Sequence, residues 1–221
     1  MQRVRYAAAA ILSIGLLGAG FYSDEAKEFK PKNGRFTIMF PAAKKSGDRQ
    51  QVVDLGVTIP PPSGRRTTRR GAATQRPARM PIEAHYGITK EDIKYSAGSA
   101  GVPAALIKDI PLDKRFDFFS EAFVKAMEGK ITDETQIDQG SIPGKRYMIE
   151  KTDGGVARMD LYLQVGWIMY ASVEGKNKDA LTAKEATDFF DSFKLTQPEK
   201  KGDDKKSDDK KTDDKKGTDK E

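Results

Sequence analysis

Cysteine is absent from this chain of 221 residues, and histidine and tryptophan occur once each. Without cysteine the protein forms no disulfide, has no thiolate nucleophile and carries no lipid on an N-terminal cysteine. A zinc site needs three or four cysteine, histidine or carboxylate ligands, so a single histidine argues against one. Residues 98–101 (Gly-Ser-Ala-Gly) lack both the spacing and the lysine of a phosphate-binding P-loop. The sequence therefore predicts neither a metal nor a cofactor.

The first apolar run of the chain has the pattern of an export signal. Arg3 and Arg5 precede residues 6–22, an uncharged 17-residue run made mostly of Ala, Ile, Leu and Gly. A basic start, a short apolar core and small residues at 18–20 predict a secretory signal peptide cleaved after Gly20. The run also reaches the lower limit of the roughly 17–25 residues that span a bilayer, so an uncleaved membrane anchor is the alternative. Either way, we expect an exported, periplasmic protein, soluble or held at the inner membrane.

The end of the chain differs in composition from its middle. Residues 198–221 repeat the unit Asp-Asp-Lys-Lys, hold nine lysines and nine acidic residues, and contain no aliphatic or aromatic side chain. Such a segment has nothing to bury, which predicts a disordered and solvated tail. A calcium-binding repeat is disfavoured because two lysines follow each pair of aspartates. The remaining residues, 21–197, are long enough for one domain with a sizeable core.

Positive charge is concentrated in residues 60–81, which hold six arginines and no acid, in a chain whose formal net charge is +6. One interpretation is a solvated loop. The alternative is a patch that binds anions, such as an anionic surface, weakly and in a salt-sensitive way. No nucleic acid is expected as a partner because the segment has no aromatic residue to stack on a base. The candidate anion-binding residues are Arg65, Arg66, Arg69, Arg70, Arg76 and Arg79.

Hydrophobic periodicity predicts several antiparallel strands. An Asn-Gly turn at 33–34 precedes a strand ending at Pro41, and Asp-Gly-Gly at 153–155 predicts a hairpin. Along residues 156–165 apolar and polar side chains alternate, which predicts that one face of this strand lies on a core. The predicted strands are residues 51–59, 80–89, 146–151, 156–165 and 167–174.

Two helices are predicted between and after these strands. Residues 113–128 carry a broad apolar stripe rich in phenylalanine, with Gly129 at its end. Residues 182–185 (Thr-Ala-Lys-Glu) form a capping box that would start a second helix bearing Phe189, Phe190 and Phe193. At helical spacing these phenylalanines indicate core packing rather than a ligand site. Antiparallel strands with two separate helices predict an α+β sandwich.

Four short motifs, taken in this order, resemble the PsbP-like family, whose fold is an antiparallel β-sheet sandwiched by helices. They are residues 34–41 (Gly-Arg-Phe-Thr-Ile-Met-Phe-Pro), the helix at 113–128, residues 142–147 (Ile-Pro-Gly-Lys-Arg-Tyr) and residues 189–195 (Phe-Phe-Asp-Ser-Phe-Lys-Leu). Together they span most of residues 29–195. The resemblance implies an α/β/α sandwich and a non-enzymatic accessory protein that binds a partner in the envelope. It assigns no binding residue here, and the arginine-rich segment and the tail lie outside the family pattern.

The alternative function is a carboxylate-based envelope enzyme, such as a hydrolase. His85 shares the more polar face of its predicted strand with Glu83, which would suit a general base. No nucleophile motif accompanies His85, so an exposed strand histidine is the expectation. The acidic group Asp133, Glu134 and Asp138 could serve glycoside hydrolysis, although surface acids are the commoner outcome. A deep pocket where His85 meets at least two acids would favour the enzyme, and an open face would favour a binding module.

Overall fold

The computed structural model describes residues 25–59 and 76–196. The predicted signal peptide, the charged tail and Arg65, Arg66, Arg69 and Arg70 lie outside the described residues. Within the described ranges, none of the helices combines the length and the apolar character needed to cross a lipid bilayer.

The described part contains a long series of strands interrupted by four helices. In chain order the elements are β1 (Lys27–Phe29), β2 (Phe36–Phe40), β3 (Lys45–Ile59), β4 (Arg76–Ile88), β5 (Lys94–Gly101), α1 (Ala104–Ile107), α2 (Leu112–Ala126), β6 (Gly129–Gln139), β7 (Ile142–Lys151), β8 (Val156–Gln164), β9 (Trp167–Gly175), α3 (Asp179–Thr182), α4 (Lys184–Ser192) and β10 (Lys194–Leu195).

Seven strands form one antiparallel sheet in the order β3-β4-β5-β9-β8-β7-β6. It consists of two meanders, β3–β5 and β6–β9, which meet where β5 pairs with β9. In that pairing Lys94 lies opposite Glu174 and Gly101 lies opposite Trp167. A smaller sheet has β2 between β1 and β10, all antiparallel.

One face of the large sheet is covered by α2. Phe116, Phe119 and Phe123 of this helix are buried among Tyr147 and Met159 of β7 and β8. The phenylalanine stripe read from the sequence is therefore a packing surface, and the prediction of this helix is confirmed. The short helix α1, which the sequence analysis did not predict, precedes it and also packs on this core.

The opposite face is covered by the small sheet together with α3 and α4. Phe36 and Phe40 of β2 pack with Phe193, which follows α4, and with Phe189 of α4 above Tyr95 of the large sheet. The antiparallel sheet thus lies between two layers, which confirms the predicted α+β sandwich. Both faces of β8 are therefore covered. Its side chains from Ala157 to Leu163 are buried, apart from the half-buried Arg158. The alternation had indicated one buried face only.

Several local predictions differ from the structure. The strands β3 and β7 begin earlier than predicted, at Lys45 and Ile142, and the strands β5 and β6 were not predicted from the sequence. The strand β4 begins at Arg76 and not at residue 80, so Arg76 and Arg79 lie in a strand. The predicted capping box does not form either, because Thr182 is the last residue of α3 and its Oγ1 donates to the carbonyls of Lys178 and Asp179. The helix α4 starts after Ala183 with no side-chain cap.

Candidate functional site

An apolar cleft of about 300 Å³ opens beside the turn between β8 and β9, and we call it the hairpin-tip cleft. Eight of its ten lining residues are apolar, and Arg115 is the only charged one. The apolar part includes Ile107, Leu112, Phe119, Leu163, Val165 and Trp167. A cleft with this lining suits an apolar side chain far better than a charged substrate.

The hairpin turn presents part of this lining to solvent. Gly166 adopts a φ of +72°, a conformation that glycine tolerates and that lets β8 reverse directly into β9. Its carbonyl accepts a hydrogen bond of 2.8 Å from the Val102 amide, which fixes the tip against the chain after β5. As a result Val165 is 97% exposed, and Leu112 at the start of α2 is 48% exposed. A scattered apolar residue on a surface is ordinary, but two beside an apolar cleft mark a contact surface.

Arg115 lines this cleft, and Arg35 lies beside it, against two of the lining residues. The Arg35 guanidinium lies 4.5 Å from the centre of the Trp167 ring and donates to Gln164 Oε1 at 3.3 Å. The Arg115 Nε donates to the Ile110 carbonyl at 2.7 Å. Neither guanidinium has a carboxylate partner within residues 25–59 and 76–196. The cleft therefore combines an apolar interior with two positive charges that an acidic ligand group could neutralise.

His85 is packed rather than exposed, so the expectation of an exposed strand histidine is wrong. Its ring stacks on Phe29 and meets Phe40 edge-on, each with ring centroids 4.8 Å apart. Its Nδ1 lies 2.8 Å from Asp48 Oδ1, and the side chain is only 12% exposed. The cause is the small sheet, which covers this face of β4. The carboxylate beside the ring is Asp48 and not Glu83, which is exposed.

The predicted acidic group lies on the surface, as expected. Asp133, Glu134 and Asp138 are exposed on the edge strand β6, and Glu134 Oε1 lies 3.3 Å from Lys145 Nζ. No set of three metal-ligating side chains gathers anywhere in the described part of the chain.

The six candidate arginines are only partly within the described residues. Arg79 is exposed on β4 and lies opposite Asp54 of β3, while Arg76 begins the same strand. An anion-binding role for the six arginines stays a prediction.

Sequence reasoning missed a buried ion cluster on β7 and β8. The Asp160 side chain is 4% exposed and accepts two hydrogen bonds of 2.8 Å from Arg146 and two, of 3.1 and 3.3 Å, from Arg158. The hydrogen bond to Asp160 raises the pKa of Arg146. The Arg158 guanidinium lies 3.7 Å above the Phe190 ring, so this cluster also attaches α4 to the sheet. The hairpin register, which sets Arg146 opposite Asp160, was the signal that could have found the pair.

A second ion cluster joins three strands. Glu174 of β9 accepts hydrogen bonds from Lys94 of β5 at 2.5 Å and from Lys151 of β7 at 2.7 Å. Burial by itself would raise the pKa of Glu174, but the two lysines outweigh it and hold the pKa below the ordinary value. In both clusters one buried carboxylate is hydrogen-bonded to two cations of neighbouring side chains, so no buried negative charge is left unpaired.

Comparison with known proteins names no function for the chain. No family model matches the chain, and no curated protein matches it. Among solved structures, the chain is similar to the solution structure of cyanobacterial PsbP from Synechocystis sp. PCC 6803. The TM-score is 0.48 at 9% sequence identity, over 83% of this chain and 98% of that one. That protein bears the name of the family that the four sequence motifs resemble, and at this identity the similarity gives no residue a role.

Proposed function

We propose that this chain is an exported accessory protein whose hairpin-tip cleft binds an apolar segment of a partner protein in the envelope. The proposal rests on one observation above all, the apolar cleft with Val165 and Leu112 exposed beside it. Burying such a side chain at an interface contributes about 1.5–3 kcal/mol, which is enough to select a partner. The basic and apolar start of the sequence supports export.

The chemistry of the partner follows from the charges at the cleft. Arg35, stacked on Trp167, and Arg115 offer guanidinium groups without a carboxylate partner in the described part. Arginine and tryptophan are the residues that most often dominate binding energy at protein interfaces. We therefore propose that the bound segment carries an Asp or Glu next to its apolar side chain.

The alternative of a carboxylate-based enzyme receives no comparable support. His85 stacks on Phe29, meets Phe40 edge-on and contacts one carboxylate, that of Asp48. A general base needs room for a substrate beside its free nitrogen, and this packing favours a structural role instead.

Site-specific photocrosslinking in intact cells tests the proposal. A photoreactive phenylalanine analogue replaces Val165 in one strain and Val52 in the other; Val52 is the matched control because it is 58% exposed on β3. We expect a discrete crosslinked protein from position 165 and none from position 52. Mass spectrometry of the crosslink should locate an apolar residue next to Asp or Glu.

A synthetic peptide of that segment then gives the quantitative result. We expect Val165→Asp and Arg115→Glu each to weaken its binding at least tenfold, and Val52→Asp to leave it unchanged. Equal crosslinking at both positions would show that the cleft is not the binding site. The same conclusion would follow if Val165→Asp left the affinity for the peptide unchanged.

A further inference from the structure

The turn that precedes β2 brings Arg35 to the edge of the hairpin-tip cleft. The turn runs from Pro31 to Gly34 and is closed by a hydrogen bond of 2.9 Å from the Gly34 amide to the Pro31 carbonyl. Gly34 adopts a φ of +65°, a conformation that glycine tolerates. Arg35 follows directly and precedes β2. The Asn-Gly signal predicted this turn, but nothing in the sequence connected it with a binding site.

Arg35 contacts two residues of the cleft lining. Its guanidinium lies 4.5 Å from the centre of the Trp167 ring and donates to Gln164 Oε1 at 3.3 Å. Trp167 and Gln164 both line the cleft, whereas Arg35 is not a lining residue. A guanidinium over an indole ring is an attractive contact, and it covers one face of the ring. Arg35 is therefore placed to act on the cleft through the position of Trp167.

The side chain of Asn33 holds the backbone of Arg35 in place. Its Oδ1 accepts a hydrogen bond of 3.1 Å from the Arg35 amide, and its Nδ2 donates at 2.7 Å to Ser99 Oγ. Ser99 belongs to β5 of the large sheet and is 1% exposed, so it is a fixed point. One side chain thus ties the turn to the large sheet through both ends of its amide group.

A further hydrogen bond holds the carbonyl of Arg35. The Thr196 amide, just after β10, donates to this carbonyl at 2.8 Å. Both backbone polar groups of Arg35 are therefore hydrogen-bonded, and the bond to its amide is the one that a side chain makes. A substitution at Asn33 removes that bond without changing Arg35 or Trp167 themselves.

We propose that Asn33 and Arg35 are positioning residues of the hairpin-tip cleft. Asn33 holds the Arg35 backbone, and the Arg35 guanidinium holds the Trp167 ring as a wall against which a bound apolar side chain packs. This inference rests on the proposed function, since it assigns two residues a part in that binding. It also connects the start of β2 in the small sheet with a cleft whose lining comes from the large sheet, α1 and α2.

Tryptophan fluorescence reports on this contact without any ligand, because Trp167 is the single tryptophan of the chain. Emission of the full chain is measured with increasing acrylamide, a neutral quencher. We expect Arg35→Gln to shift the emission to longer wavelength and to increase quenching, since one face of the ring loses its cover. Asn33→Ala should change both in the same direction. Lys32→Gln is the matched control, because Lys32 is exposed in the same turn and its loss removes the same charge; it should behave as wild type.

A double-mutant cycle tests whether Asn33 acts through Arg35. The chain with both Asn33→Ala and Arg35→Gln should match Arg35→Gln alone in emission and quenching, because Asn33 then has no guanidinium to position. Asn33→Asp keeps an oxygen that can accept from the Arg35 amide and should restore most of the wild-type signal. Additive changes in the double variant, or wild-type fluorescence in Asn33→Ala, would overturn the proposal.

Binding of short peptides connects the contact with the cleft. The probes are N-acetyl-Leu-Glu-amide and its neutral counterpart N-acetyl-Leu-Gln-amide, followed by the shift of the labelled Val165 amide. We expect Arg35→Gln and Asn33→Ala each to weaken the binding of both probes about threefold, the size of a lost cation–π contact at a partly exposed site.

The two probes separate the position of the ring from the charge of the arginine. A loss confined to the Glu probe would overturn the proposal, because Arg35 would then act by its charge alone, and so would wild-type affinity in both variants. Absence of binding to every form, with the expected fluorescence changes present, would instead overturn the proposed function and support the hold of Asn33 and Arg35 on Trp167.

Discussion

Glu174 is a buried carboxylate between two lysines, and its titration should be visible in the stability of the protein. Its pKa is lowered from the ordinary value of 4.5, because Lys94 and Lys151 outweigh the effect of burial. A lowered pKa in the folded state adds stability above the unfolded-state pKa, and this stability disappears as pH falls through the folded-state pKa. We expect Glu174→Gln to lose roughly 1.5–3 kcal/mol at pH 7 and much less at pH 3. Urea denaturation at both pH values measures the difference.

The control for this experiment is Glu134→Gln. Glu134 also pairs with a lysine, Lys145, but it lies on the exposed edge strand β6. An exposed pair contributes about 0–1 kcal/mol, so this variant should remain close to wild type at both pH values. A loss in Glu174→Gln that stays the same from pH 7 to pH 3 would mean that packing, and not charge, is responsible.

Residue environments divide into those that the sequence could predict and those that it could not. The surface position of Asp133, Glu134 and Asp138 followed from the general tendency of acidic side chains to lie on the surface. The environment of His85 did not, because Phe29 and Phe40 reach it from a separate sheet. The pair of Arg146 with Asp160 lies between these cases, since the turn at 153–155 fixes the register that brings them together.

At the level of single elements, the inner strand β5 depends on a glycine for its close approach to its neighbours. A Cβ atom at Gly98 would lie 2.8 Å from the Glu83 carbonyl oxygen, 2.8 Å from Tyr170 Cε1 and 2.9 Å from Ala84 Cβ. Because one of these atoms is backbone, the strands themselves would have to move. We expect Gly98→Ala to destabilise the protein by about 1–3 kcal/mol, measured by thermal or urea unfolding.

Gly47 on β3 provides the comparison. A Cβ atom there would meet only the Tyr86 ring, at an ordinary distance of 3.6 Å. Gly47→Ala should therefore be neutral or slightly stabilising, since glycine in a strand interior costs about 0.5–1 kcal/mol relative to alanine. Equal losses in the two variants would indicate a general intolerance of alanine rather than the close approach at Gly98.

Elements with strong local signals were predicted well. The phenylalanine stripe located α2 within two residues at each end, and the glycines of the turn located the β7–β8 hairpin. The start of α4 was predicted from Thr182 and Glu185, and there the local signal was wrong. A separate short helix, α3, ends at Thr182, and the Thr182 hydroxyl donates hydrogen bonds to carbonyls of that helix. The capping pattern in the sequence does not show that the hydroxyl has these alternative acceptors.

For the whole molecule, the uneven distribution of charge predicts where anions are attracted. Four arginines at 65, 66, 69 and 70 lie in a segment without acids. Beside an anionic lipid surface each contributes at most about 1 kcal/mol, and salt screens the effect beyond roughly 8–10 Å. We expect residues 21–221 to co-sediment weakly with anionic vesicles at low salt, and less at high salt. Neutral vesicles should bind none.

The variant Arg65→Ser, Arg66→Ser, Arg69→Ser and Arg70→Ser separates this segment from the rest of the surface. It should lose most of the binding to anionic vesicles. If it co-sediments as the wild type does, or if binding persists unchanged at high salt, the segment is a connector with no affinity for anionic surfaces.

The layers that cover the two faces of the large sheet were harder to predict than the α+β fold class. Alternating side chains on β8 indicated one buried face, because periodicity reports only the face that is uniformly apolar. The second layer is built from β2, near one end of the described chain, and α4, near the other. Contacts between such distant segments leave little trace in a local pattern, so the packing of His85 and the burial of Asp160 were both missed.

The joining of the two meanders has a consequence for folding kinetics. Within each meander, every strand pairs with its neighbour in the chain, so those ladders close short loops. Only the β5–β9 ladder unites them, and it must bring Gly101 to Trp167 after α1, α2 and three strands have been synthesised. Loop closure over this span is entropically unfavourable and slow compared with hairpin formation. The two halves can therefore acquire structure separately, and the cooperative unit is complete only when this one central ladder forms.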